Sequence, residues 1–282
     1  MIKDELGLIE KIVTEIRKNV DIAVIGLSGG ADSTLVAILC TKALGKENVY
    51  GVHMPYDSED EDSFNRRSVK FAENLGIVSY FSSIKKIADA IKTTLNVTSK
   101  INGTYEKNNT LIREVSDLPL CEKLSKVNIG NARARARMCV LYGIAHHLGD
   151  SGKRARVIGT GNLSEDYIGY DTKGGDALAD IFPIGELFKS EVYQLLDFFK
   201  KEGIITEEFI DRVPSAGLWN GQKDHIELGY TYGEMEPAIK YLKKLSPIPT
   251  LQSIMNFVKK RHESNKHKHE VPKIINVREF CY

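Results

Sequence analysis

Two periodicities alternate along the chain. Apolar side chains at Leu6, Ile9, Val13 and Ile16 have the three-and-four spacing of an amphipathic helix over residues 4–19. Ile22, Val24, Ile25 and Leu27 then form an uninterrupted apolar run, the pattern of a parallel strand covered on both faces. The alternation continues with a helix over 33–44 that stops at Gly45, a strand over 49–54 ended by Pro55, a charged helix over 61–75 that stops at Gly76, a strand over 77–81 and a helix over 84–95. Residues 96–109 are rich in Asn, Thr, Lys and Gly without clear periodicity, so a surface insertion is expected there, extending to about residue 127. A helix over 128–148, a strand over 155–159 and an amphipathic helix over 186–201 follow. Strands and helices of these lengths predict an α/β fold: one domain built on a doubly wound parallel sheet flanked by helices, with ligands at the carboxyl ends of the strands. No internal repeat is present.

Composition narrows the partners. At 282 residues and 42% hydrophobic content the chain has material for a sizeable core. The 39 basic and 38 acidic residues leave a net charge of +1, so no global field draws it to nucleic acid or to an anionic membrane, and anion recognition must be local. The start, MIKDELGLIEKIV, lacks a signal-peptide apolar region, and no run approaches the roughly 18 apolar residues of a membrane span, so a cytoplasmic protein is expected. Cys40, Cys121, Cys139 and Cys281 are scattered without a C-x-x-C pair, which disfavours a zinc or dithiol centre; Cys40 and Cys139 fall in helical patterns as small buried hydrophobes.

The chemistry concentrates where the first strand meets its helix. Gly26, Leu27, Ser28, Gly29, Gly30, Ala31, Asp32 and Ser33 form a turn in which two residues without Cβ let backbone N–H groups converge beside a helix N-terminus, an anion cradle to which Ser28 and Ser33 add hydroxyls. Walker A is excluded because no lysine follows the glycines, and G-x-G-x-x-G is absent. The remaining string, S-G-G-x-D-S, resembles the PP-loop of the N-type ATP pyrophosphatases, which split ATP between its α and β phosphates. A second apolar strand enters a Gly turn at VIGTGNLSE, and Glu165 there has the hard oxygen that, with Asp32, suits Mg²⁺. Either carboxylate alone also fits a helix start.

GLSGGADS, NARARARM, GTGNLSE, GYDTKGGD, PIGELFKSEV, PSAGLW, DHIELGYTY and KHKHEVPK, in that order, resemble the bacterial ammonia-dependent NAD synthetases from about residue 4 to the C-terminus. The resemblance implies a Rossmann-like, adenine nucleotide alpha hydrolase-like fold and amidation of deamido-NAD (nicotinic acid adenine dinucleotide) by free ammonia, through an adenylated carboxylate. It places ATP phosphates on Gly26 to Ser33, Mg²⁺ on Asp32 and Glu165, and further ATP contacts on Thr160, Lys189 and Ser215. Arg135, Lys173, Asp180, His267 and Lys268 match contacts to deamido-NAD. Asp176 lies in the same substrate loop and is a base for ammonium by position and type. A homodimer and a flap over residues 259–282 are also implied. The family often has an aromatic residue where this chain has Asp171 and Gly174, and Ala177 and Leu178 replace a usual Gly-Gly.

Blander readings stand beside these. Arg133, Arg135 and Arg137 have the charge of a nucleic-acid patch, but only Arg133 and Arg137 share a helix face. The acidic run at Asp57, Glu59, Asp60, Glu61 and Asp62 suits a helix start better than a metal. His146 and His147 face different ways, the tail from Lys259 to Lys273 reads equally as a disordered basic end, and Trp219 either covers the site or fills the core. Two rival functions remain at this point: a tRNA-modifying PP-loop synthetase and a non-catalytic nucleotide sensor.

Overall fold

The computed structural model describes residues 1–56, 58–96, 100–107, 110–116, 124–210, 215 and 221–275. The chain runs α1 (Glu5–Asn19), β1 (Ile22–Gly26), α2 (Ala31–Leu44), β2 (Val49–His53), α3 (Ser58–Leu75), β3 (Val78–Phe81), α4 (Lys85–Asn96), β4 (Lys100–Lys107) and β5 (Thr110–Ser116). It continues with α5 (Lys126–Gly149), β6 (Ala155–Ile158), α6 (Leu163–Tyr167), α7 (Lys189–Lys201), α8 (Asp224–Leu228), α9 (Tyr232–Leu242) and α10 (Gln252–Asn265). Four strands make a parallel sheet in the order β3-β2-β1-β6, with Ile25 aligned on Gly51 of β2 and on Ile158 of β6.

The continuous apolar run of β1 is explained by burial on both faces. Ala23 and Ile25 pack with Ile9, Val13 and Ile16 of α1, with Leu35, Ile38 and Leu39 of α2, and with Leu195 and Phe199 of α7. Val24 points the other way, joining Val52 and Val157 against Ala136, Met138 and Leu141 of α5 and Ala88 of α4. Each such large side chain contributes about 1.5–3 kcal/mol of burial. A third cluster, formed by Leu163, Phe188, Met235, Ile239, Met255 and Val258 among others, packs α9 and α10 against α6. Because the chain steps outward from β1 to β2 and β3 and then returns on the other side as β6, the strand order reverses between β1 and β6. Their carboxyl ends therefore flank the crevice where doubly wound sheets bind ligands.

Several expectations are corrected. Within the expected insertion, where the sequence pattern assigns no element, β4 and β5 pair antiparallel, from Lys107 opposite Thr110 to Lys100 opposite Ser116, with an irregularity between Ile101 and Gly103. Thr104, Tyr105, Thr110, Ile112 and Val115 supply strand-forming side chains, and the polar residues between them masked the alternation. Helix α2 begins at Ala31, two residues before its expected start, because Gly30 already has the extended geometry of an N-cap. Helix α7 begins at Lys189 rather than 186, where Glu191 accepts the Phe188 N–H at 3.0 Å. Cys40 is buried as expected, but Cys139 lies on the exposed side of α5. Trp219, Cys121, Cys281 and Asp57 lie outside the described residues. No helix among the described residues is long and apolar enough to cross a membrane.

The carboxyl end of β6 is shaped by a close approach. Gly159 donates its N–H to Ile181 at 2.8 Å, and a Cβ on Gly159 would stand 2.4 Å from the Phe182 ring and 2.9 Å from the Ala179 Cβ. Gly159→Ala is expected to cost about 1–3 kcal/mol of stability by overpacking. Urea denaturation checks this, and an unchanged midpoint would contradict the packing of residues 179–182 on β6.

Candidate active site

The loop after β1 is held at both ends. The Leu27 N–H bonds Val52 O at 2.9 Å, keeping the chain in the sheet until the turn, and Gly29 then adopts φ +69°, a left-handed conformation that favours glycine. The Ser28 hydroxyl accepts the Gly30 N–H at 3.2 Å and lies 3.1 Å from the Ser33 hydroxyl, which donates to Gly30 O at 3.2 Å. These bonds fix the turn that leads into α2, whose 14 residues bring the positive end of a helix dipole to the loop.

The second turn is tied to the first. Asn162, fully buried, caps α6 by accepting the N–H groups of Ser164 and Glu165 at 3.1 and 3.2 Å, and its amide donates to Asp32 at 3.0 Å. Lys189, at the start of α7, reaches the same point: its ammonium lies 2.5 Å from Asp32 Oδ2 and 2.9 Å from Glu165 Oε1. The Lys189 side chain is only 6% exposed, while each carboxylate is 19% exposed, so the acids keep an open edge. Burial works against the Lys189 charge, but Asp32 and Glu165 together raise its pKa, and it stays an ammonium. Desolvation raises the Glu165 carboxyl, with the Asp32 charge adding to the rise and Lys189 opposing it. Two hard oxygen donors with an open edge beside an anion cradle would fit a divalent cation such as Mg²⁺.

A second constellation lies on the loop after α6. Lys173 Nζ donates to His267 O at 2.6 Å, and Arg135 Nε donates to Lys173 O at 3.2 Å, which brings three of the expected dinucleotide residues together. Lys268 Nζ donates to Gly169 O and Asp171 O at 2.7 Å each. Asp171, where the resemblance leads to an aromatic, instead lies 2.5 Å from His269 Nε2 and 3.5 Å from Lys268 Nζ. The tail is thus ordered through these residues: α10 runs to Asn265, a 3-10 turn spans Lys266–Lys268, and His262 stacks on Tyr167 at 4.2 Å. Residues 276–282 of the expected flap lie outside the described residues. Asp176 keeps a solvent-facing edge and accepts the Thr172 N–H at 2.9 Å; desolvation by the surrounding protein raises its carboxyl, and the Asp171 charge adds to the rise.

Other expected residues have different surroundings. Asp180 accepts the Val157 N–H at 2.7 Å and the Tyr142 hydroxyl at 3.4 Å, contacts on the β6 edge and α5 rather than in the Lys173 group. Thr160 is half-buried just beyond β6, and Ser215 is half-buried between stretches outside the described residues. The arginine row divides as helical geometry requires: Arg133 lies 3.5 Å over the Tyr56 ring and Arg137 donates to Met54 O at 3.2 Å, while Arg135 turns to Lys173. The sequence reading missed Asn162, whose signal is an Asn directly before a short acidic helix, and Ser164. It also missed Tyr232, whose ring lies 5.6 Å from the Lys189 ammonium and whose hydroxyl donates to buried Asp224 at 2.9 Å.

Such a convergence at the switch point of a parallel sheet is the arrangement of an α/β protein of the PP-loop type. Comparison with known proteins refines the class: the NAD synthase profile matches residues 2–272, and the chain belongs to the NAD synthase family. It is 36% identical to the NH(3)-dependent NAD(+) synthetase of Methanocaldococcus jannaschii over 285 residues, covering 94% of this chain and 95% of the relative. Its fold is similar to an NH3-dependent NAD synthetase from Campylobacter jejuni solved with a nitrate ion, with a TM-score of 0.71, 27% identity, and coverage of 97% of this chain and 100% of that one. It is also similar to an NMN synthetase from Francisella tularensis, with a TM-score of 0.77, 28% identity, and coverage of 98% and 100%.

The tail contact carries a pH dependence. Its contact with Asp171 raises the His269 pKa above the ordinary 6.5. A raised base stabilises fully below 6.5 and loses that contribution as pH rises through its folded value. Hydrogen exchange over residues 266–269, corrected for intrinsic rate, should show protection falling with rising pH, and His269→Gln should remove the trend. Protection that does not change with pH in the unmodified protein would contradict it.

Proposed function

We propose that the chain converts deamido-NAD, ATP and ammonia into NAD, AMP and pyrophosphate. The observation that carries this reading is the meeting of Asp32, Glu165 and Lys189 from three separate elements beside the diglycine loop. Membership of the NAD synthase family supports it, and neither a tRNA-modifying synthetase nor a nucleotide sensor is favoured.

A carboxylate resists ammonia because it is anionic and lacks a good leaving group. In the first step an oxygen of the nicotinate carboxylate bonds to the α-phosphorus of ATP as the bond to pyrophosphate breaks, giving a mixed anhydride with AMP. Negative charge collects on the departing pyrophosphate. Backbone N–H groups of Gly29 to Ser33 and the Lys189 ammonium are placed to stabilise it, and a preorganised donor of this kind is worth about 3–4 kcal/mol. Asp32 and Glu165 would hold Mg²⁺, which supplies further neutralisation of the triphosphate when bound. In the second step ammonia bonds to the carbonyl carbon and AMP leaves. Ammonium must first lose a proton, and Asp176, with its raised pKa, is the acceptor in this reading.

Arg135, Lys173, His267 and Lys268 would face deamido-NAD, with Asp180 supporting them from the β6 edge; Thr160 and Ser215 would contact ATP. We further assign the enzyme to the cytoplasm and to a homodimer, on the family resemblance.

Purified protein given deamido-NAD, ATP, magnesium and an ammonium salt should release NAD, AMP and pyrophosphate in equal amounts, and should leave ATP largely intact without deamido-NAD. Asp176→Asn should slow amidation more than adenylate formation; equal loss in both half-reactions would reject its role as base. A structural relative bears the name NMN synthetase, so nicotinic acid mononucleotide is run in parallel. Preference for it would move the substrate assignment while leaving the amidation chemistry intact, and turnover that depends on neither acid would overturn the proposal.

A further inference from the structure

We infer that Glu236, on α9, is the positioning residue that holds Glu165 and Lys189 in register for the adenylation step. The inference rests on reading Asp32, Glu165 and Lys189 as the site for the metal and the triphosphate.

Glu236 is 3% exposed, and its carboxylate bridges the first turns of two other helices. Oε1 accepts the Ser164 hydroxyl at 3.0 Å and the Ser190 N–H at 3.0 Å, and Oε2 accepts the Ser190 hydroxyl at 2.5 Å. Ser164 completes the circuit because its oxygen also accepts the Lys189 N–H at 2.9 Å. Each of these serines adjoins a residue of the reacting site: Ser164 precedes Glu165, and Ser190 follows Lys189. A single side chain thereby fixes the backbone that carries the acid and the backbone that carries the ammonium.

Both oxygens of this side chain are used, Oε1 by two donors and Oε2 by one. The first N–H groups of α7 have no partner inside their own helix, and the positive end of its dipole favours an anion. A buried carboxylate is costly unless its oxygens are satisfied, and three donors, with Lys240 Nζ 3.8 Å away, satisfy this one. The helix bearing it does not drift, since Met235, Ala238 and Ile239 on α9 are fully buried in the third cluster. Tyr232 at the start of the same helix places its ring 5.6 Å from the Lys189 ammonium, so α9 forms a wall behind the lysine. Buried behind Ser164 and Ser190, Glu236 acts through them.

The experiment compares Glu236→Ala, Glu236→Gln and Ser164→Ala with the unmodified protein. It measures steady-state kinetics for deamido-NAD, calorimetric binding of Mg·ATP and thermal melting. Glu236→Ala should lower kcat about tenfold or more and weaken Mg·ATP binding about threefold or more, while KM for deamido-NAD stays within about twofold, because Arg135 and Lys173 stand on other elements. Glu236→Gln keeps an acceptor at the Oε1 position and should hold kcat within about threefold of the unmodified protein. Should Glu236→Ala fail to fold, Ser164→Ala breaks the same bridge and should show the same selective loss. Unchanged Mg·ATP binding in a folded Glu236→Ala or Ser164→Ala protein would overturn the inference, as would a Gln variant as impaired as the Ala variant. Failure of the unmodified protein to bind Mg·ATP would instead overturn the reading of the site itself.

Discussion

The buried ammonium of Lys189 between Asp32 and Glu165 is the constraint around which the rest of this molecule is arranged. Its three groups come from the starts of three helices, α2, α6 and α7, which the fold brings together only because β1 and β6 lie side by side with their carboxyl ends at the reversal of strand order. Attraction among the groups has to offset the desolvation of all of them, and excellent geometry is the condition for that. The structure supplies it through neutral hydrogen-bonding groups: Asn162 steers Asp32 and caps the helix of Glu165, and Ser164 receives the backbone of Lys189. Both acids keep an edge open to solvent. That edge, next to the diglycine loop, is where the proposed function seats a cation arriving with a phosphate ligand.

The two working regions differ in how they are held. The side proposed to hold phosphates is braced by the main core, since β1, α2 and α7 share one cluster of buried side chains. The side proposed to hold deamido-NAD is a loop latched by the tail, through Lys173 to His267 and through Lys268 and His269 to the segment of Gly169 and Asp171. Rigid alignment suits a step that must place an in-line attack on phosphorus, where small misplacements are expensive. A latch of hydrogen bonds to loop carbonyls suits a surface over which a large substrate enters and its product leaves.

What the sequence disclosed follows from how local each feature is. The cradle was legible because a covered strand, two adjacent glycines and a helix start are neighbours in the chain, and Asp32, Glu165 and Lys189 could be placed on the right turns before their contacts were known. The hairpin of β4 and β5 was not legible, because polar residues at both faces leave no apolar alternation to follow. The start of α7 was misplaced by three residues since its cap is set by Ser164 and Glu191 rather than by a conventional capping residue. Glu236 was invisible for a related reason: its partners Ser164 and Ser190 lie 72 and 46 residues away, and nothing in an exposed-looking Glu of an amphipathic helix announces a buried carboxylate. Asp180 was recognised by motif, yet its position on the β6 edge required the strand pairing to be seen.

The account stands on the claim that the diglycine loop and the Asp32, Glu165 and Lys189 group together grip a metal-bound triphosphate. A crystal structure with magnesium and a non-hydrolysable ATP analogue tests this most directly. The account predicts the β and γ phosphates on the backbone of Gly29 to Ser33, the metal on oxygens of Asp32 and Glu165, and the Lys189 ammonium against the phosphates. Nucleotide bound with its phosphates away from this loop, or a metal that leaves both carboxylates untouched, would contradict it.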